Sequence, residues 1–111
     1  MWIIADLKLD MEDFQLLKTH ILCITAIANQ TNLSIREWMD PKSDPTYWGI
    51  PYNCIPVINR SVENIRHLAP MADDLQRRAL LEDSHDYIRD GAHIVFELYP
   101  QLGSTPKFKR F

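Results

Sequence analysis

Trp2-Ile3-Ile4-Ala5-Asp6-Leu7-Lys8-Leu9 alternates along its length. Ile3, Ala5, Leu7 and Leu9 fall on one side of an extended chain, and Ile4, Asp6 and Lys8 on the other. Period-two patterning predicts a strand. Asp10 follows as a helix N-cap, with Glu12 and Asp13 in the first turn, where the helix dipole favours negative charge. Phe14, Leu17, Ile21, Ile24 and Ala28 then recur at spacings of three and four, and Leu16, Leu22, Cys23 and Ile27 widen the stripe. That spacing predicts a helix over 11–30, mostly buried.

Beyond the polar run Asn29–Asn32, Leu33, Ile35 and Glu37 share one side of an extended chain, and residues 33–39 read as a second strand. Strand, helix and strand with short connections make a βαβ-like unit. Ile55–Ile58 adds a short third strand, which lies at an edge or starts at Pro56 because Pro56 cannot donate to a ladder. The expected fold class is therefore mixed α/β (α+β). It has a small sheet of two to three strands, a long N-terminal helix and a helical C-terminal half.

Between these elements, residues 40–56 carry Pro41, Pro45, Pro51 and Pro56, interleaved with Tyr47, Trp48, Ile50 and Tyr52. Prolines stiffen the chain, while Tyr and Trp supply large contact area at low entropy cost. Tyr47, Trp48 and Tyr52 are the expected partner-binding residues. The plainer reading is that these rings fold back over the core.

Ser61 is placed to N-cap a short helix through Leu68. Residues 71–99 are helical by pattern, with Leu81, His85, Ile88, Ala92, Val95 and Tyr99 forming a heptad-like seam. Unbroken, that helix would span about 43 Å at 1.5 Å per residue. It would exceed the diameter of about 34 Å expected for a globule of this length. Asp83-Ser84 is the natural breakpoint, and Gly91 weakens the helix. The reading adopted is an intact or kinked helix whose seam is a self-interface in a homodimer.

The chain has 111 residues and 46% hydrophobic residues, enough for one folded domain. Residues 1–104 are read as that domain and 105–111 as a basic tail. The tail Lys107-Phe108-Lys109-Arg110-Phe111 carries three positive charges, so a net charge of −3 leaves −6 on residues 1–106. An acidic body argues against broad phosphate binding. Lys107, Lys109 and Arg110 support an alternative reading as a nucleic-acid contact. No apolar run reaches the roughly 20 residues that span a bilayer, and no basic region precedes the first apolar stretch. A cytoplasmic protein without a membrane partner is the expectation. Cys23 and Cys54 form no C-x-x-C pair and read as reduced thiols.

Chemistry-bearing residues concentrate at Glu82, Asp83, His85, Asp86, Arg89, Asp90 and His93. Glu82 with His85 forms Glu-x-x-His, and Asp90 with His93 repeats the spacing, as in di-iron helical bundles. A metal-dependent enzyme using Glu82, His85, Asp90 and His93 is the second alternative. The plainer reading is a solvated acidic face with Asp86–Arg89 pairing. His85 on the seam and His20 beside the first stripe read as structural. There is no G-x-S-x-G elbow, and Gly49, Gly91 and Gly103 make no phosphate loop. With no complete catalytic set and no cofactor motif, the leading expectation is a non-enzymatic protein-interaction or regulatory module that binds another protein and forms a homodimer.

Overall fold

The computed structural model describes residues 8–31, 34–40 and 52–101. Among them every regular element is a helix: α1 (Met11–Thr31), α2 (Ile35–Met39), α3 (Ile55–Leu68), α4 (Asp74–Leu81) and α5 (Asp86–Leu98). Short 3-10 turns at Tyr52–Cys54 and Ala69–Met71 flank α3. The mixed α/β expectation with its small sheet is therefore overturned, and the described chain is all-helical. Residues 1–7 of the first expected strand lie outside the described residues, and Lys8–Asp10 carry no regular structure.

The second expected strand is helix α2. Ser34 caps it: the Ser34 hydroxyl accepts from the Arg36 amide at 3.1 Å, and the Ser34 amide donates to the Glu37 carboxylate at 3.0 Å. This capping box nucleates a single turn. Ile35, Trp38 and Met39 then lie at helical spacing and are all buried. The third expected strand is the first turn of α3, where Pro56 costs nothing because its missing N–H would have no intrahelical acceptor. Ser61 is not a cap but lies mid-helix and buried.

Helix α1 begins where the sequence places it. The Asp10 carboxylate accepts from the Asp13 amide at 2.8 Å, and Leu17, Ile21, Ile24 and Ala28 form the buried stripe. Against it pack Ile58, Val62 and Ile65 of α3 and Ile88, Ala92 and Val95 of α5. The expected 71–99 helix is broken between Leu81 and Asp86. The Asp83 carboxylate accepts from the His85 amide at 2.8 Å and pairs with Lys18 of α1 at 3.4 Å. His85 Nδ1 accepts from the Tyr87 amide at 3.2 Å and caps α5. The break lets α5 run alongside α1 rather than project from the domain.

Gly91 sets how close those two helices come. A Cβ there would collide with Thr25 Oγ1 and lie 2.8 Å from Ile21 Cγ2. Thr25 Oγ1 is already held by donating to the Ile21 carbonyl at 2.7 Å. At the far side of the core, buried Arg77 donates to the carbonyls of Ala69 at 2.7 Å and Ala72 at 3.0 Å. Its guanidinium also lies 4.5 Å from the centre of the Phe96 ring. Burial lowers its pKa, with Asp74 opposing that shift. Arg77 thereby supplies donors to the backbone carbonyls of the turn that joins α3 to α4.

Candidate functional site

Helices α1 and α4 both begin at one end of the molecule, joined by Leu9 and Gln76. The Leu9 amide donates to Gln76 Oε1 at 3.0 Å, and Gln76 Nε2 donates to the Leu9 carbonyl at 2.6 Å. The primary amide thus pairs with a backbone residue as a neighbouring strand would. Gln76 Oε1 also accepts from the Asp73 amide at 3.1 Å, closing the capping box of α4. Leu9 is buried by this arrangement.

Beside that joint lies a groove of about 360 Å³ walled by Leu9, Met11, Phe14, Leu75 and Ala79. Met11 and Leu75 are 77% and 73% exposed, the two most exposed large aliphatic side chains among the described residues. Leu75 and Ala79 are one turn apart on the side of α4 that Leu80 and Arg77 do not use, since those two point into the core. Asp10 and Lys8 are the charged residues in the groove's lining; Glu12, Asp13 and Asp74 lie in the first turns of α1 and α4, and Asp73 caps α4. The first-turn acids are favoured by the two helix dipoles, so their charge is compatible with the fold rather than a cost to it.

The expected site residues are dispersed. Tyr47 and Trp48 lie outside the described residues, as do Lys107, Lys109 and Arg110. Tyr52, in the 3-10 turn before α3, is 80% exposed. Of the seam, Ile88, Ala92 and Val95 are buried against α1 of the same chain, Leu81 and Tyr99 are half-buried, and His85 is exposed. The seam's middle is thus an intramolecular contact. Glu82, His85, Asp90 and His93 are exposed. Among the described residues no group of three or more His, Cys, Asp or Glu side chains is gathered to hold a metal ion.

One pairing resembles acid–base machinery. His20 Nδ1 lies 3.0 Å from Ser61 Oγ, between α1 and α3. Burial, followed by the nearby Arg60 cation, lowers the His20 pKa and favours the neutral ring. Ser61 is only 2% exposed, so a substrate has no access to its hydroxyl. The pair satisfies two polar groups within the α1–α3 contact.

Sequence reading missed Met11, Leu75 and Gln76. The Leu9–Gln76 contact joins residues 67 positions apart and leaves no local trace. No helix among the described residues is long and apolar enough to cross a membrane. No protein-family model, curated protein or solved structure matches the chain.

Proposed function

We propose that the chain is a non-enzymatic protein-interaction module whose groove between α1 and α4 receives a basic, amphipathic segment of another protein. The exposure of Met11 and Leu75 on facing walls of one groove carries this reading. Exposed apolar patches with polar rims mark interaction sites. Asp10 in the lining and the acids at the starts of α1 and α4 favour basic flanks on the incoming segment, since charge complementarity sets specificity and encounter rate. Tyr52, with its exposed ring, supports a second contact surface at the start of α3.

The test uses two helical peptides with the same leucine stripe, one flanked by lysines and the other by glutamates, titrated into the full chain. Binding is followed by NMR of the Met11 and Leu75 methyl groups. The expected result is saturable shifts with the lysine peptide, at least tenfold weaker binding of the glutamate peptide, and tenfold loss in Leu75→Ser. Added salt should weaken the lysine peptide, as exposed charges are screened over about 8–10 Å. Equal binding of both peptides, or lysine-peptide binding unchanged in Leu75→Ser, overturns the reading. Shifts appearing on raising the protein concentration alone, without peptide, would identify a second copy as the occupant instead.

A further inference from the structure

A groove that receives basic, amphipathic segments has one such segment in its own chain. Lys107-Phe108-Lys109-Arg110-Phe111 brings two aromatic rings and three cations, and residues 102–111 contain no acid. They follow Gln101, the last described residue. We propose, resting on that reading of the groove, that residues 107–111 dock in the groove of their own chain, with their rings on its apolar walls. Any outside partner then has to displace them.

Charge and apolar character both match. Within the lining Lys8 offsets Asp10, so the attraction comes from the helix starts around it. Residues 8–13 and 73–78 together hold five carboxylates against Lys8, Arg77 and Arg78, a net charge of −2. Arg77 is turned into the core, where it donates to the Ala69 and Ala72 carbonyls. None of the five carboxylates forms an ion pair among the described residues. Asp74 acts on Arg77 only from beyond ion-pair distance. The exposed walls at Met11 and Leu75 lack apolar cover, and a phenyl side chain buries about 150–250 Å².

Helix α5 carries the chain back to α4 before this segment begins. The Phe96 ring lies 4.5 Å from the Arg77 guanidinium. Leu75 and Ala79 are on the other side of that helix, whose diameter with side chains is about 10–12 Å. Ten residues of extended chain, 102–111, reach at most about 33–36 Å. The tether is long enough to pass round α4, and a short tether sets an effective concentration of about millimolar order. An intrinsic Kd of about 1 mM against an effective concentration of about 2 mM leaves the groove free about one-third of the time. An outside partner is then weakened about threefold.

The test compares three forms of the full chain: unaltered, Phe108→Ser/Phe111→Ser, and Lys107→Glu/Lys109→Glu/Arg110→Glu. The Met11 and Leu75 methyl signals are followed by NMR over a dilution series. Both signals should differ from the unaltered chain in each variant, by the same amount at every protein concentration, because the contact lies within one chain. The lysine-flanked peptide should bind each variant about threefold more tightly than the unaltered chain. Identical methyl signals in all three forms overturn the proposal. So does a difference that fades on dilution, since the segment would then sit on a second copy. Peptide binding of equal, Leu75-dependent strength in all three forms also overturns it, while the groove reading stands. If the peptide binds none of the three and the methyl signals still respond to the substitutions, the partner reading fails and the docking of residues 107–111 stands.

Discussion

Helix α1 meets its neighbours in two different ways along its length. In its middle, Ile21 and Thr25 press against Gly91 of α5, with no room for a methyl group. At its start, Met11 and Phe14 face Leu75 and Ala79 across an open groove, and the joint to α4 is made by Gln76. Both regions are apolar by sequence. The difference lies in what faces them: a glycine admits a backbone at close range, whereas a glutamine that bonds Leu9 fixes one edge of the groove and leaves its apolar walls bare. The first arrangement contributes stability, and the second leaves surface available for binding.

The sharpest way to break the sealed region is Gly91→Ala. Alanine gains about 1 kcal/mol in helix propensity, and overpacking costs about 1–3 kcal/mol. Relief needs either Thr25 to give up its bond to the Ile21 carbonyl or a β-branched isoleucine to move. Two collisions at once, with Thr25 Oγ1 and Ile21 Cγ2, put the overpacking cost at the upper end of that range, so the expected net loss is about 2 kcal/mol by urea unfolding, with part recovered in the Thr25→Ala/Gly91→Ala double variant. A stabilised Gly91→Ala would show that the two helices are not closely packed.

The open region is tested by Gln76→Leu, which removes both bonds to Leu9 and half of the α4 capping box. The loss should be about 1–2 kcal/mol. Its particular signature is loss of hydrogen-exchange protection at the Leu9 amide, while α1 amides from Leu17 onward keep theirs. Weakened protection throughout α1 would mean that the two regions form a single cooperative unit.

The smallest effect concerns the sealed region's response to protons. The folded-state pKa of His20 is depressed below its usual value of about 6.5. Above that pH neither state is protonated at His20, and the residue adds no pH dependence. As pH falls below about 6.5 the unfolded chain binds a proton that the folded chain refuses, so stability declines until the lowered folded pKa is reached. His20→Gln should remove this part of the slope between pH 6.5 and 5. An unchanged slope in the variant would show that the His20–Ser61 contact is open to solvent.

The same contrast accounts for what could be read in advance. Helix α1 was legible because its cap, first-turn acids and apolar stripe agree. The break at Asp83–Ser84 was legible as a breakpoint, although an intact or kinked seam was the reading adopted. Residues 33–39 were misread because Leu33, Ile35 and Glu37 fit period two, while Ile35, Trp38 and Met39 fit a helical turn equally well in so short a segment. The Ser34–Glu37 capping box was the deciding signal. The exposed groove was not legible, because Met11 and Leu75 look like any apolar residues near helix starts.

Residue pattern settles the local features of this chain: where α1 starts, which faces of α1 and α5 are apolar, and where Asp83 can end one helix before another begins. These follow from short-range hydrogen bonding and from the 3.6-residue period, both written in neighbouring residues. Only packing decides that the α5 seam is covered by α1 and that Gln76 holds Leu9. Each of these depends on which surfaces meet across long stretches of chain, and packing free energy selects among such pairings without leaving a pattern in any one segment.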